Sequence, residues 1–104
     1  MERIKRIKEF LKASPGDNFL QHALALEYIK QQDDITARSI FEEILTRDPN
    51  YTGSYYHLAK LLERLNLQNL AMEWYQKGMQ RAKLAGDNHT YNELRAAYEE
   101  IADD

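Results

Sequence analysis

Cysteine is absent from the chain, and its 104 residues include only two prolines and four glycines. Without thiols there are no disulfides, no thiolate metal sites and no thiol nucleophile. The glycines, at 16, 53, 78 and 86, are too scattered to cradle a phosphate. No G-x-S-x-G, H-E-x-x-H, phosphate-loop or dinucleotide spacing occurs either. The chain therefore reads as a non-enzyme with no cofactor and no bound metal. Long apolar runs are also missing: the longest is Ala23–Leu26, far short of the roughly 20 residues that cross a bilayer. Charges interrupt Met1-Glu2-Arg3-Ile4-Lys5-Arg6, which leaves no apolar core for a signal peptide. The expected location is cytoplasmic.

Charge of one sign is scarce at each end. Residues 1–12 carry Arg3, Lys5, Arg6, Lys8 and Lys12 against Glu2 and Glu9, whereas residues 87–104 carry six acids against Arg95. Copies could attract head to tail through such ends. The simpler reading is two solvated helix faces, because surface charge pairs contribute little. Five bases on one helix of a chain whose net charge is −3 do not make a nucleic-acid or membrane surface. Neither partner is expected.

What the chain has in quantity is periodicity. Shifted by 34 residues, Pro15 falls on Pro49, Leu24 on Leu58, Ala25 on Ala59 and Ala37 on Ala71. Ile7, Phe41 and Tyr75 share one slot, Leu11, Leu45 and Met79 another, and Tyr28 meets Leu62. Small residues recur on small ones and large apolar residues on large ones, as happens when each unit packs alike on its neighbour. Within each unit the apolar spacing is three and four, as in Ile4, Ile7 and Leu11, which is helical. Ser14-Pro15-Gly16-Asp17, Asp33-Asp34, Asp48-Pro49-Asn50, Asn66 and Ala85-Gly86-Asp87-Asn88 break the pattern. These signals predict six helices near 2–13, 18–31, 35–47, 52–65, 69–85 and 88–102, all in one domain.

The repeated residues resemble the tetratricopeptide-repeat family, whose 34-residue signature is W-x2-L-G-x2-Y, A-x3-F and P. The first repeat reads Gln21-x2-Leu24-Ala25-x2-Tyr28, Ala37-x3-Phe41, Pro49. The second reads Tyr55-x2-Leu58-Ala59-x2-Leu62, Ala71-x3-Tyr75, with Lys83 in the proline slot. Tyr91-x2-Leu94-Arg95-x2-Tyr98 opens a third, two residues late. The resemblance implies an all-α fold, a right-handed superhelical stack of antiparallel helix hairpins (an α-solenoid). It divides the chain into an N-terminal capping helix (1–15), repeats at 16–50 and 51–86, and a C-terminal capping helix (87–104). Without proline at 83, the fifth helix should run about a turn longer. Gly78, mid-helix, should admit a bulky side chain from helix six, and Trp74 should wedge against that helix. Helix one lacks a partner of its own, so Ile7, Phe10 and Leu11 should bury themselves on helix two.

The same resemblance implies a protein–protein interaction module that holds a protein or peptide segment in a concave groove. Carried over slot by slot, the groove presents Phe19, His22, Leu26, Ile29 and Lys30 from helix two. Helix four adds Tyr56, His57, Lys60 and Arg64, and helix six adds His89. Lys30 and Arg64 could pair with a carboxylate. Relatives that clamp acidic chaperone tails do so with lysines, asparagines and an arginine. Here those slots hold His22, Leu26, His57, His89 and Glu93, so a chaperone tail is not the expected partner. The three histidines share neighbouring slots and could form a pH-sensitive or metal-binding cluster. Three independent surface histidines is the simpler expectation, because no acid or cysteine completes a ligand set. The alternative to a binding module is a self-assembling unit, a homodimer or array stacked through its end helices.

Overall fold

The computed structural model describes residues 2–102 and contains six helices: α1 Glu2–Ala13, α2 Asn18–Lys30, α3 Asp34–Arg47, α4 Gly53–Arg64, α5 Gln68–Leu84 and α6 Asn88–Ala102. Side-chain caps start three of them. Asp17 accepts from Leu20 N–H at 3.0 Å, Asp33 from Thr36 N–H at 3.1 Å and Asp87 from Thr90 N–H at 3.1 Å, each satisfying a donor the helix leaves free. Helices α2, α4 and α5 end on left-handed residues: Gln32 (φ 62°), Asn66 (φ 63°) and Gly86 (φ 71°). At each the next residue donates back to Tyr28, Leu62 or Ala82 O, the closing bond of a Schellman turn. Gln32 and Asn66 stand 34 residues apart, so the repeat extends to the backbone. The break expected at Asp33-Asp34 is present: Asp33 caps α3, and the left-handed residue is Gln32 just before it.

Consecutive helices pack side by side from α1 to α6, and α4 also touches α6. The core follows the 34-residue slots. Leu58, Ala25, Ala59, Ala37, Ala71, Phe41 and Tyr75 are fully buried, and Leu24 nearly so. Alanine at these positions lets helix axes approach closely, and the aromatic one turn later fills the space beside it. Two polar ends are satisfied inside: Tyr55 Oη donates to Pro49 O and Tyr75 Oη to Glu63. Burial, then the Glu63 carboxylate, pushes the Tyr75 phenol far above its usual range.

Gly78 is buried where α5 is crossed from both sides. A β-carbon there would lie 2.7 Å from Tyr55 Cβ and 2.8 Å from Leu94 Cδ1. Helix six does supply a bulky side chain, as expected, but α4 supplies a second. Trp74 is half-buried with its ring 6.0 Å from that of Tyr55 on α4, and Lys77 caps it at 4.5 Å. Helix α5 spans 17 residues against 14 for α3, because Lys83 replaces the proline that would have stopped it.

Helix α1 departs from expectation. Ile4 and Ile7 are buried against α2 and Leu11 is half-buried, but Phe10 is 57% exposed. Its counterparts Ile44 and Gly78 are buried between two flanking helices, whereas α1 has a flanking helix on one side alone. Phe10 has nothing to bury against.

The packing predicts an inversion of helix propensity at position 78. Gly78→Ala should gain about 0.5–1 kcal/mol locally, yet lose about 1–3 kcal/mol net because the backbone-proximal Tyr55 atoms must move. Ala25→Leu and Ala59→Leu should cost a similar amount. Gly53→Ala, with nothing within 4 Å of the new atom, should stay within about 0.5 kcal/mol of wild type. Urea unfolding measures all four, and an unchanged midpoint for Gly78→Ala would contradict the close crossing.

Candidate partner-binding face

The residues expected to line the groove lie mostly on α2 and α4, and the structure groups them unequally. His22 and His57 come together. Their rings are 5.4 Å apart at 71°, and His22 is also edge-on to Phe41 at 5.4 Å and Tyr51 at 5.9 Å. His57 stacks on Phe41 at 6.2 Å and meets Tyr56 edge-on at 5.7 Å. His22 Nδ1 and Ser54 Oγ share a hydrogen bond of 2.8 Å that ties α2 to α4. The two histidines are therefore neither independent nor simply on the surface. His89 is exposed in the first turn of α6 and joins no ring contact among the described residues. Among those residues no group of three or more histidine and acidic side chains is arranged to hold a metal ion.

Burial, followed by the neighbouring His57, holds His22 down at about 4. Burial lowers His57 as well; Glu93 on α6 opposes this and Arg64 adds to it. Both imidazoles are neutral at pH 7. With Tyr51 they form an uncharged, partly apolar patch over the fully buried Phe41, bordered by the half-buried Leu26, Ile29 and Tyr56.

The cations beside this patch already have partners. Arg64 makes a two-bond fork to Asp34, Nε to Oδ2 and Nη2 to Oδ1, each 3.0 Å. Lys30 Nζ lies 3.2 Å from Glu27, which Arg3 approaches at 3.1 Å. Lys60 Nζ sits 3.7 Å from Glu63 and 5.7 Å over the Tyr56 ring. Phe19 is 72% exposed and lines a groove with Phe10, Ile7, Leu20 and Ala23 along α1. Sequence reasoning missed Tyr51 as a member of the patch, and Ser54 and Phe41 as its buried support. Phe41 reads as core, which it also is, and a lone serine at a helix start carries no periodic signal.

Protonation of this pair should couple to folding. An unfolded chain protonates both imidazoles near pH 6.5, whereas folded His22 takes up a proton only near 4. Between those values the unfolded state binds more protons, so the contribution is complete above pH 6.5 and is lost as pH falls toward 4. The melting midpoint of the native chain should drop across that window more steeply than that of His22→Gln. Parallel profiles for the two proteins would remove His22 from the account.

A tetratricopeptide-repeat family model matches residues 52–83, the second repeat. No curated protein matches the chain. Among solved structures, a tetratricopeptide repeat domain protein from Salinibacter ruber is similar in its solution form at 38% identity. That match covers 85% of this chain and 89% of the other, with a TM-score of 0.81. A crystal structure of a tetratricopeptide repeat domain protein from the same organism gives 37% identity, 83% and 96% coverage, and 0.79. A protein from Bordetella parapertussis shares the fold at 21% identity, with 95% and 86% coverage and a TM-score of 0.82. Identity above a third over most of both chains, on top of the in-register motifs, places this chain in the tetratricopeptide-repeat family.

Proposed function

We propose that this chain is a non-catalytic protein–protein interaction module that holds an extended or helical segment of another protein across α2 and α4. The segment lies on the patch formed by His22, Leu26, Tyr56 and His57. The division into two repeats at 16–50 and 51–86 with a capping helix at each end belongs to this reading, as does a cytoplasmic setting. Stacked repeats present continuous surfaces of this kind, and members of the family generally act as binding modules.

The observation that carries the reading is the charge state of the patch. Lys30, Lys60 and Arg64 are each paired with an acid of the same chain, and the histidines between them are neutral at pH 7. A carboxylate-rich tail would have to displace Asp34 from a two-bond fork or Glu27 from its basic neighbours. An aromatic or aliphatic side chain meets no such obstacle. The favoured ligand therefore inserts an apolar anchor between Tyr56 and the histidines, its flanking backbone lying over Leu26 and Lys60.

Tyr56→Ala removes one wall of that slot and should weaken capture of a natural partner about thirtyfold, the effect of losing roughly 2 kcal/mol at an aromatic hot spot. Lys60→Glu should weaken it less, because Lys60 contributes mainly its stem. Arg64 is unsuitable for such a test, since reversing its charge would set two acids against each other at Asp34. Glu43→Lys on the far side of α3, where the carboxylate is 67% exposed, is the control and should leave both fold and capture unchanged. Capture from native lysate, with circular dichroism to confirm folding, makes the comparison. A folded Tyr56→Ala protein that retains its partner at native strength would place the binding surface elsewhere.

A further inference from the structure

The groove between α1 and α2 shares no lining residue with the patch proposed above. It measures about 230 Å³ and is lined by Ile7, Phe10, Phe19, Leu20 and Ala23, with Arg3 and Arg6 at the rim. Phe10 and Phe19 are 57% and 72% exposed, among the largest apolar side chains left open to water. Two such phenylalanines flanking one groove form a patch, which is a different observation from scattered apolar exposure.

The 34-residue slots identify the shape that is missing. Arg3, Ile7 and Phe10 of α1 correspond to Ala37, Phe41 and Ile44 of α3, and to Ala71, Tyr75 and Gly78 of α5. In α3 and α5 those slots are buried, because a helix lies on each side. Among the described residues α1 has a helix on one side alone, and Phe10 and the edge of Ile7 border the groove. The vacancy is therefore helix-shaped, and an amphipathic helix laid along α1 would cover Phe10 and Phe19 together.

The rim specifies charge. Arg6 makes no ion pair among the described residues, and Lys5 and Lys8 stand on the same helix, also unpaired there. Arg3 is shared with Glu27, whose counterpart in α4 is the fully buried Leu61. The opposite end of the stack does not supply such a helix. The exposed face of α6, the other helix with one side uncovered, presents Glu93, Arg95, Ala96 and Glu99, with no large apolar side chain to cover Phe10. From the helical slot, the paired phenylalanines and the free arginine, we propose that this groove docks an amphipathic helix of a partner protein whose apolar stripe is flanked by acidic side chains.

The test uses the full chain and a synthetic helical peptide of about 15 residues. Leucines repeat at three- and four-residue spacing, glutamates flank them, and a second peptide carries lysine for each glutamate. Amide shifts in NMR titrations should concentrate on Ile7, Phe10, Phe19 and Ala23. The lysine peptide should bind at least about tenfold more weakly, and added salt should weaken the glutamate peptide. Phe10→Ser with Phe19→Ser, both at exposed positions, should preserve the circular dichroism spectrum and reduce affinity about tenfold or more. Arg6→Glu should shift the preference toward the lysine peptide. Tyr56→Ala should leave all of this unchanged, which separates the two surfaces. Four results would overturn the proposal: no binding at millimolar peptide, equal binding of both peptides, shifts centred on Tyr56 and His57, or self-association of the native chain abolished by the phenylalanine changes. The last would make the occupant a second copy.

Discussion

The approach of α5 to its neighbours at Gly78 sets the spacing of half the molecule, because Tyr55 and Leu94 occupy the volume a β-carbon would take. Tyr55 also donates to Pro49 O, anchoring α4 to the loop after α3, while Leu94 is the most deeply buried large side chain of α6. One missing methyl thus links three helices. The fully buried alanines at 25, 37, 59 and 71 act in the same sense. A hairpin cannot enclose its own apolar face, so its stability depends on how closely the next hairpin can approach. Small residues at crossing points decide that distance.

This dependence explains why the fold could be read from the residues. Packing that repeats imposes residue size at a fixed interval, and size is visible in a sequence as Ala37 over Ala71 or Phe41 over Tyr75. Turns were legible for the same local reasons: a cap at Asp17 or Asp87 is a bond between near neighbours. The cap at Asp33 was legible too, whereas the left-handed residue before it was not, because Gln32 has no special preference for that conformation.

The partner-binding face was legible as a set of slots and illegible as chemistry. That Lys30, Lys60 and Arg64 occupy neighbouring slots follows from the repeat. Lys30–Glu27 and Lys60–Glu63 are pairs three residues apart on one helix, which the spacing allows. Arg64 instead reaches across helices to Asp34 thirty residues away, and no periodic rule predicts that pair. Phe10 failed for a different reason. It occupies a slot that is buried in α3 and α5, and the pattern carried that burial over to a helix lacking its second neighbour.

The two surfaces differ in how the chain disposes of its charge, and that difference bears on what each can hold. Around His22 and His57 the cations are satisfied internally and the imidazoles are kept neutral by burial. Binding there requires little desolvation of free charge, so apolar contact can dominate. Along α1, Lys5, Arg6 and Lys8 are exposed and make no ion pair among the described residues, and a partner gains electrostatic attraction on approach as well as apolar contact on arrival. The first surface should be insensitive to salt and sensitive to acid, since protonating His22 would place charge beside a second imidazole. The second should weaken as salt is added. Within one repeat stack, cations paired around the histidines and unpaired at Lys5, Arg6 and Lys8 thus favour different kinds of contact.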